Sequence, residues 1–237
     1  MLPQPAIRID AFRRPISMRN APPALSHTRN CISDCRPLAN SVQMIGATMS
    51  YRQKTEIFGE KEPADYAYRV ISGSVRTYKI LNDGRRQIGG FHLPGDIFGL
   101  EFGDEHTFSA EAITDTNVVV VKRNALTALA GRDPAIAREL FALTCRELQR
   151  VQDRVLLLVK SAQERVAGFL LEMAERACAG NVVELPMSRQ DIADYLGLTI
   201  ETVSRTLTVL EGADAIELST SRRIVLRNRS ALKRLNS

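Results

Sequence analysis

The chain has no tryptophan, and aromatic residues make up only 5% of it. Its core must rest on aliphatic side chains, which a hydrophobic content of 44% supplies. Long apolar runs are missing too. The longest, VLLLV at 155–159, falls far short of the roughly 18 residues that span a bilayer. The arginine-rich N-terminus carries RR at 13–14 with no apolar stretch after it, so no secretion signal is expected. The cysteines, Cys31, Cys35, Cys145 and Cys178, are too few and too scattered for a disulfide framework. There is no phosphate loop, paired-histidine motif or nucleophile elbow, so nothing points to an enzyme. What remains is a soluble cytoplasmic protein with no membrane partner, long enough at 237 residues for one or two domains. Its formal charge of +5 permits nucleic acid as a partner without requiring it.

Residues 1–35 are rich in Arg, Pro, Ser and Asn and show little apolar periodicity, which predicts a flexible tail. From about 51 to 121 the text consists of short β-rich runs separated by glycines. NDG at 82–84 lies between VRTYKIL and RRQIGGF and predicts a hairpin, because Asp-Gly readily takes positive φ. NVVVV at 117–121 reads as a buried strand. Many short strands with glycine punctuation favour a barrel or sandwich over alternating βαβ units.

After Gly131 the period changes, and Pro134 suits the first turn of a helix. Phe141, Thr144, Leu148, Val151, Val155, Leu158 and Ala162 alternate three- and four-residue steps, the spacing of a coiled-coil seam. That seam predicts a homodimer. Leu140, Leu156 and Leu157 lie off it and are free to pack on the β domain.

In SRQDIADYLGLTIETVSRTLTVLE, two amphipathic segments flank Gly197. Ala193 is small enough for a second helix to cross closely, and Ile192, Leu196, Leu198 and Val203 form a shared core. Ser188 or Arg189 opens the first helix, and Thr199 caps the second. AIEL and RIVL flank STSR as a hairpin, followed by a short helix capped by Ser230. The whole is a winged helix-turn-helix. On the free face of the second helix, Arg205 can donate two hydrogen bonds to guanine, Glu201 can accept from cytosine, and Ser204 can bond either base type. Glu201 and Arg205 also stand four apart in the order that favours a surface ion pair worth about 0.2–0.5 kcal/mol. Residues 161–237 hold ten Lys/Arg and ten Asp/Glu, yet 219–237 has no acid. That basic wing and tail suits phosphate contacts.

The order of β domain, long helix and winged helix resembles the CRP/FNR family of bacterial transcription regulators. SRQDIADYLG with LGLTIETVSR is similar to its FNR and FixK branch, and the resemblance covers roughly 40–237. It implies an α+β fold, with a flexible tail at 1–35 and an antiparallel β-roll (jelly-roll-like, a double-stranded β-helix) at 36–131. A dimerisation helix at 132–160 and a winged helix-turn-helix at 161–237 complete it. Glu201, Ser204 and Arg205 become the base readers, supported by Arg189, Thr199, Thr202, Arg222 and Arg223. Phe141, Leu148, Val151, Val155 and Leu158 become the dimer contacts. The implied target is double-stranded DNA bearing TTGAT, four spacer bases and ATCAA. The implied role is activation, with RNA polymerase as a further partner, of genes for low-oxygen or nitrogen-fixing metabolism. Thr206 departs from the usual Ile or Leu of related helices and predicts slightly poorer packing.

The sensory end departs further. Nucleotide-binding members carry Gly-Glu and, later, an arginine that pairs with the phosphate. Here the stretch reads GLEFGDEHTFSAEA, with Leu100 after Gly99 and no arginine across His106-Thr107-Phe108-Ser109. No cyclic nucleotide is expected. The iron-sulfur members use three closely spaced N-terminal cysteines and one in the β domain. This chain offers Cys31 and Cys35 without a third nearby, and a valine at the β-domain position. The expectation is therefore no cofactor and no metal. The alternative is an oxygen- or effector-gated regulator using those N-terminal cysteines, or a ligand held near His92 or His106. Cys145 and Cys178 are expected as small apolar fillers or as a redox switch.

Overall fold

Runs such as NVVVV bury both faces of a strand, and the structure shows what lies on each. The computed structural model describes residues 36–156, 159–177 and 180–236. The expectations for the 1–35 tail, Cys31, Cys35, Leu157, Leu158 and Cys178 fall outside the described residues. Two four-stranded antiparallel sheets face one another. One is ordered β1 (Ala47–Tyr51), β8 (Thr116–Lys122), β3 (Tyr66–Ser72), β6 (Ile97–Phe98). The other is ordered β2 (Glu56–Phe58), β7 (Ser109–Ala112), β4 (Val75–Ile80), β5 (Arg86–His92). Between the sheets pack Phe58, Tyr68, Val70, Val75, Phe98, Ala110 and Val118. On the far side of the first sheet, Ala67, Val119 and Val121 meet Leu38, Val42, Leu126 and Ile136 from three helices. β8 is thus sandwiched, which is why its valines run unbroken instead of alternating with polar residues.

Those helices are α1 (Arg36–Ile45), α2 (Arg123–Arg132) and α3 (Pro134–Leu156). The sequence reading did not anticipate α1 or α2. α1 lies in the expected tail-to-barrel region, and α2 places Gly131 inside a helix instead of before one. The hairpin between β4 and β5 forms as expected, with Gly84 at φ +82° and Ile80 opposite Arg86.

The C-terminal part runs α4 (Ala162–Ala177), β9 (Val182–Glu184), α5 (Arg189–Leu196), α6 (Ile200–Gly212), β10 (Ile216–Leu218), β11 (Arg223–Leu226), α7 (Arg229–Asn236). Its sheet has the order β10-β11-β9, so the expected two-stranded wing gains a third strand. One apolar core continues from this part into the β-roll, joining Leu170, Ile192, Leu196 and Leu207 to Ile88 and Phe91 of β5. Ser230 does not cap α7: the Asn228 side chain accepts from the Ala231 amide at 2.9 Å. Asn is as good a cap as Ser, and it stands in the position whose side chain reaches the free amide. Among the described residues, no helix is long and apolar enough to cross a membrane.

Candidate DNA interface

The two helices of the motif are set by their ends. Ser188 precedes α5 and closes a capping box with Asp191: its hydroxyl accepts from the Asp191 amide, and the Asp191 carboxylate accepts from the Ser188 amide at 3.0 Å. The helix stops at Gly197, which adopts the left-handed conformation at φ 64°, ψ 40°, and the next amide, of Leu198, returns to the Ala193 carbonyl at 3.0 Å. Only three residues, Gly197, Leu198 and Thr199, separate the helices. Thr199 caps α6, its hydroxyl accepting from the Thr202 amide at 3.2 Å. Ala193 is fully buried at the crossing, packed with Ile192, Leu196, Val203, Leu207 and Leu210. Thr206 is buried with them.

With that face consumed by the core, Glu201, Ser204, Arg205 and Thr208 stand exposed along the opposite face, with Thr202 half-buried beside them. The Glu201 carboxylate is held below the usual range, first by its own amide and then by the Thr199 hydroxyl, with Arg205 contributing less. Among the described residues Glu201 and Arg205 do not close the ion pair that their spacing allows. Glu201 turns back to the helix N-terminus, where free amides favour a carboxylate. Both side chains therefore remain presented outward.

The wing adds cations beside this face. In the turn between β10 and β11, the Thr220 hydroxyl accepts from the amides of Arg222 and Arg223 at 3.2 and 2.9 Å, and both arginine side chains are exposed. Arg227 is engaged by Glu217 across the hairpin. Arg189 sits half-buried in the first turn of α5, and its guanidinium pKa is lowered by burial. Arg205 on the helix face, Arg222 and Arg223 at the wing tip and Arg189 in the first turn of α5 are cations of the kind that contact a duplex.

α3 supplies a second face. Phe141, Leu148, Val151 and Val155 are 71%, 57%, 51% and 59% exposed, so an apolar stripe runs unburied along the helix. Leu140 turns inward to the β-roll as expected, but Leu156 does not, being 58% exposed. The stripe also ends sooner than its spacing suggests, because Ala162 begins α4 beyond a break in the helix. Cys145 is an exposed thiol on α3, not a core filler.

Comparison with known proteins now becomes informative. Residues 164–235 match the Crp-like helix-turn-helix domain, and 48–133 match the cyclic nucleotide-binding domain. The chain is 53% identical over 205 residues to the nitrogen fixation regulation protein FixK of Azorhizobium caulinodans, covering 84% of this chain and 83% of that one. The chain belongs to the CRP/FNR family, and within it is FixK-like. It is 45% identical over 166 residues to the transcriptional activatory protein AadR of Rhodopseudomonas palustris, covering 68% and 70% of the two chains. The structure of FixK2 from Bradyrhizobium japonicum superposes with a TM-score of 0.77 at 54% identity, covering 81% of this chain and 98% of that one. A FixK-like chain is a helix-turn-helix transcription regulator and not an enzyme.

Within this FixK-like β-roll, several rings stack against one another. His106 stacks on Phe58 with centroids 3.6 Å apart, Tyr68 on Phe98 at 5.2 Å, and His92 on Phe98 at 4.7 Å. Glu101 ties down the loop that follows β6, accepting from the Thr107 amide at 2.7 Å and lying 3.0 Å from the His106 ring. Burial pushes the His92 imidazole down to about 4, against the opposing pull of Asp96. Both histidines are thus spent on packing. Among the described residues, no group of three His, Cys, Asp or Glu gathers to hold a metal.

Sequence reasoning missed the contacts that join the two domains. Arg76 and Arg86 of the β-roll reach Asp191 at 2.9 and 2.7 Å, and Arg86 reaches Asp194 at 2.7 Å. Nothing in VRTYKI or RQIGGFH names a partner more than a hundred residues away.

Proposed function

We propose that this chain acts as a cytoplasmic homodimer that binds a palindrome resembling TTGAT-N4-ATCAA and activates genes of low-oxygen or nitrogen-fixing metabolism. The observation that carries the reading is the outward face of α6, on which Glu201, Ser204 and Arg205 stand exposed. The kinship with FixK and AadR supports the physiological assignment. Arg205 reads a guanine, Glu201 a cytosine, and Ser204 an adjacent base. Thr199 and Thr202 set the helix N-terminus against the backbone, and Arg189, Arg222 and Arg223 neutralise phosphates. The α3 stripe pairs two copies, and two-fold symmetry then matches the palindrome.

The regulator works without a cofactor. Aromatic rings stack within the roll, and the chain lacks the phosphate-pairing arginine of nucleotide binders. RNA polymerase docks on loops of the β-roll. The tip at Asp83–Arg85, within ILNDGRRQ at 80–87, and the segment GDEHTF at 103–108, beside the fully exposed Phe102, are the surfaces offered.

The test is binding of aerobically purified protein, without added ligand, to the palindromic duplex and to a scrambled control. Selective binding is expected. Weak binding that recovers only anaerobically with iron would overturn the cofactor-free reading and return attention to Cys31 and Cys35.

A further inference from the structure

Besides the apolar core they share, the β-roll and the helix-turn-helix domain are joined by a set of polar contacts. Arg76 of β4 donates to Glu111 of β7 at 2.8 Å and to Asp191 of α5 at 2.9 Å. Arg86 of β5 donates to Asp191 through one nitrogen and to Asp194 through another, each at 2.7 Å. The Gln87 side-chain amide donates to the Asp194 carbonyl at 2.8 Å, so it also takes up an orphan acceptor at the end of α5. Asp191 is almost wholly buried and still serves the capping box of its own helix. A third element joins them: Arg154, near the end of α3, donates to the Gly89 carbonyl of β5 and stacks over the Tyr195 ring of α5 at 4.7 Å. The seam helix, the β-roll and the first helix of the motif therefore meet at one point.

We infer that Arg76, Arg86 and Gln87 are positioning residues for DNA recognition: they fix α5, and with it the reading helix, at a set angle to α3. The inference rests on the dimeric DNA-binding reading above. Two reading helices can enter successive major grooves together only if their separation and rotation match the half-site spacing. A joint made of apolar contacts alone slides at little cost, whereas paired guanidinium–carboxylate bonds have direction and are expensive to break once desolvated. Asp191 and Asp194 lie on α5, on the side that faces β4 and β5, and not on the α6 face proposed to read bases. These contacts therefore act on geometry and leave base choice to α6. They also set the angle without any bound effector, because every donor and acceptor belongs to the chain.

The experiment compares affinity for TTGAT-N4-ATCAA with affinity for the same half-sites moved about five base pairs further apart, half a helical turn. A second pair of duplexes, correctly spaced with or without a base change in each half-site, reports base discrimination. Wild type should prefer the correct spacing strongly. Arg86→Glu should reduce that preference by about tenfold or more while leaving base discrimination in place. Arg86→Lys keeps the charge beside Asp191 and Asp194 and should retain part of the preference. An unchanged spacing preference in Arg86→Glu would overturn the inference, as would equal loss of spacing and base discrimination. If Arg86→Glu fails to fold, Arg86→Gln takes its place and the same two outcomes decide. A wild type that does not distinguish the palindrome from a scrambled duplex would instead overturn the DNA-binding reading itself.

Discussion

Val151→Glu is the sharpest test of the apolar stripe on α3. Val151 is about half exposed in the isolated chain, as are Leu148 and Val155, with Phe141 more so. Burying an aliphatic or aromatic side chain fully is worth about 1.5–3 kcal/mol. With half of that still to be gained, each of these residues contributes about 1 kcal/mol on pairing, so four from each copy contribute roughly 8 kcal/mol. Val151→Glu removes about 2 kcal/mol of burial across the two copies and sets two carboxylates near the dyad, for a total loss of about 4 kcal/mol. The dimer dissociation constant should rise about a thousandfold. Sedimentation equilibrium at micromolar concentration should then give the 26.3 kDa chain instead of twice that mass. Because the side chain is exposed in one copy, the fold of that copy should lose no more than about 0.5 kcal/mol. A Val151→Glu protein that stays dimeric with normal affinity would refute the seam.

The remaining predictions concern the motif and the β-roll. Arg205→Ala should cost about 1–3 kcal/mol at one base pair of each half-site, read as lost discrimination in competition binding. Arg222→Ala should instead weaken binding to all sequences and flatten the salt dependence of affinity by about one unit of slope. Ser188→Ala removes half of the capping box of α5 and should lower stability by about 1 kcal/mol in urea unfolding. His92, with a pKa of about 4 in the folded chain against 6.5 when free, adds almost nothing at pH 7 and above, where both states are mostly neutral. Between pH 6.5 and 4 the unfolded chain takes up a proton that the folded chain refuses, so stability should fall by about 2 kcal/mol on going from pH 7 to 5. His92→Gln should remove that part of the slope; equal slopes for the two proteins in urea titrations would refute it.

The helix-turn-helix was legible because every device in it is local. Ser188 and Asp191 are three residues apart, Gly197 ends a helix by its own φ, and Thr199 caps the next through an amide three residues on. The NDG hairpin and the valines of β8 follow from the same short-range rules. The α3 stripe was legible for a related reason, since three- and four-residue spacing places its side chains on one face of the helix whatever covers them. α2 was less legible: Arg123–Arg132 has a weakly amphipathic pattern, Gly131 inside it, and a Lys122 N-cap with no side-chain bond. The cap of α7 was misplaced by two residues because Asn228 and Ser230 are equally good caps, and only the path of the chain leaving β11 selects between them.

The amino-acid sequence by itself determined which residues stand on the outer face of α6, which face of α3 is apolar, and the lack of an arginine across 106–109, since each is a property of neighbours along the chain. Only the tertiary structure decided that Arg76 and Arg86 serve Asp191 and Asp194, that His92 and His106 are packed against rings, and that one core runs through both domains. The physical reason is distance along the chain. Arg86 and Asp191 are 105 residues apart, and no helical or strand period relates them. Their meeting is set by how β5 and α5 bury their apolar faces against each other, and the charges pair where that burial brings them.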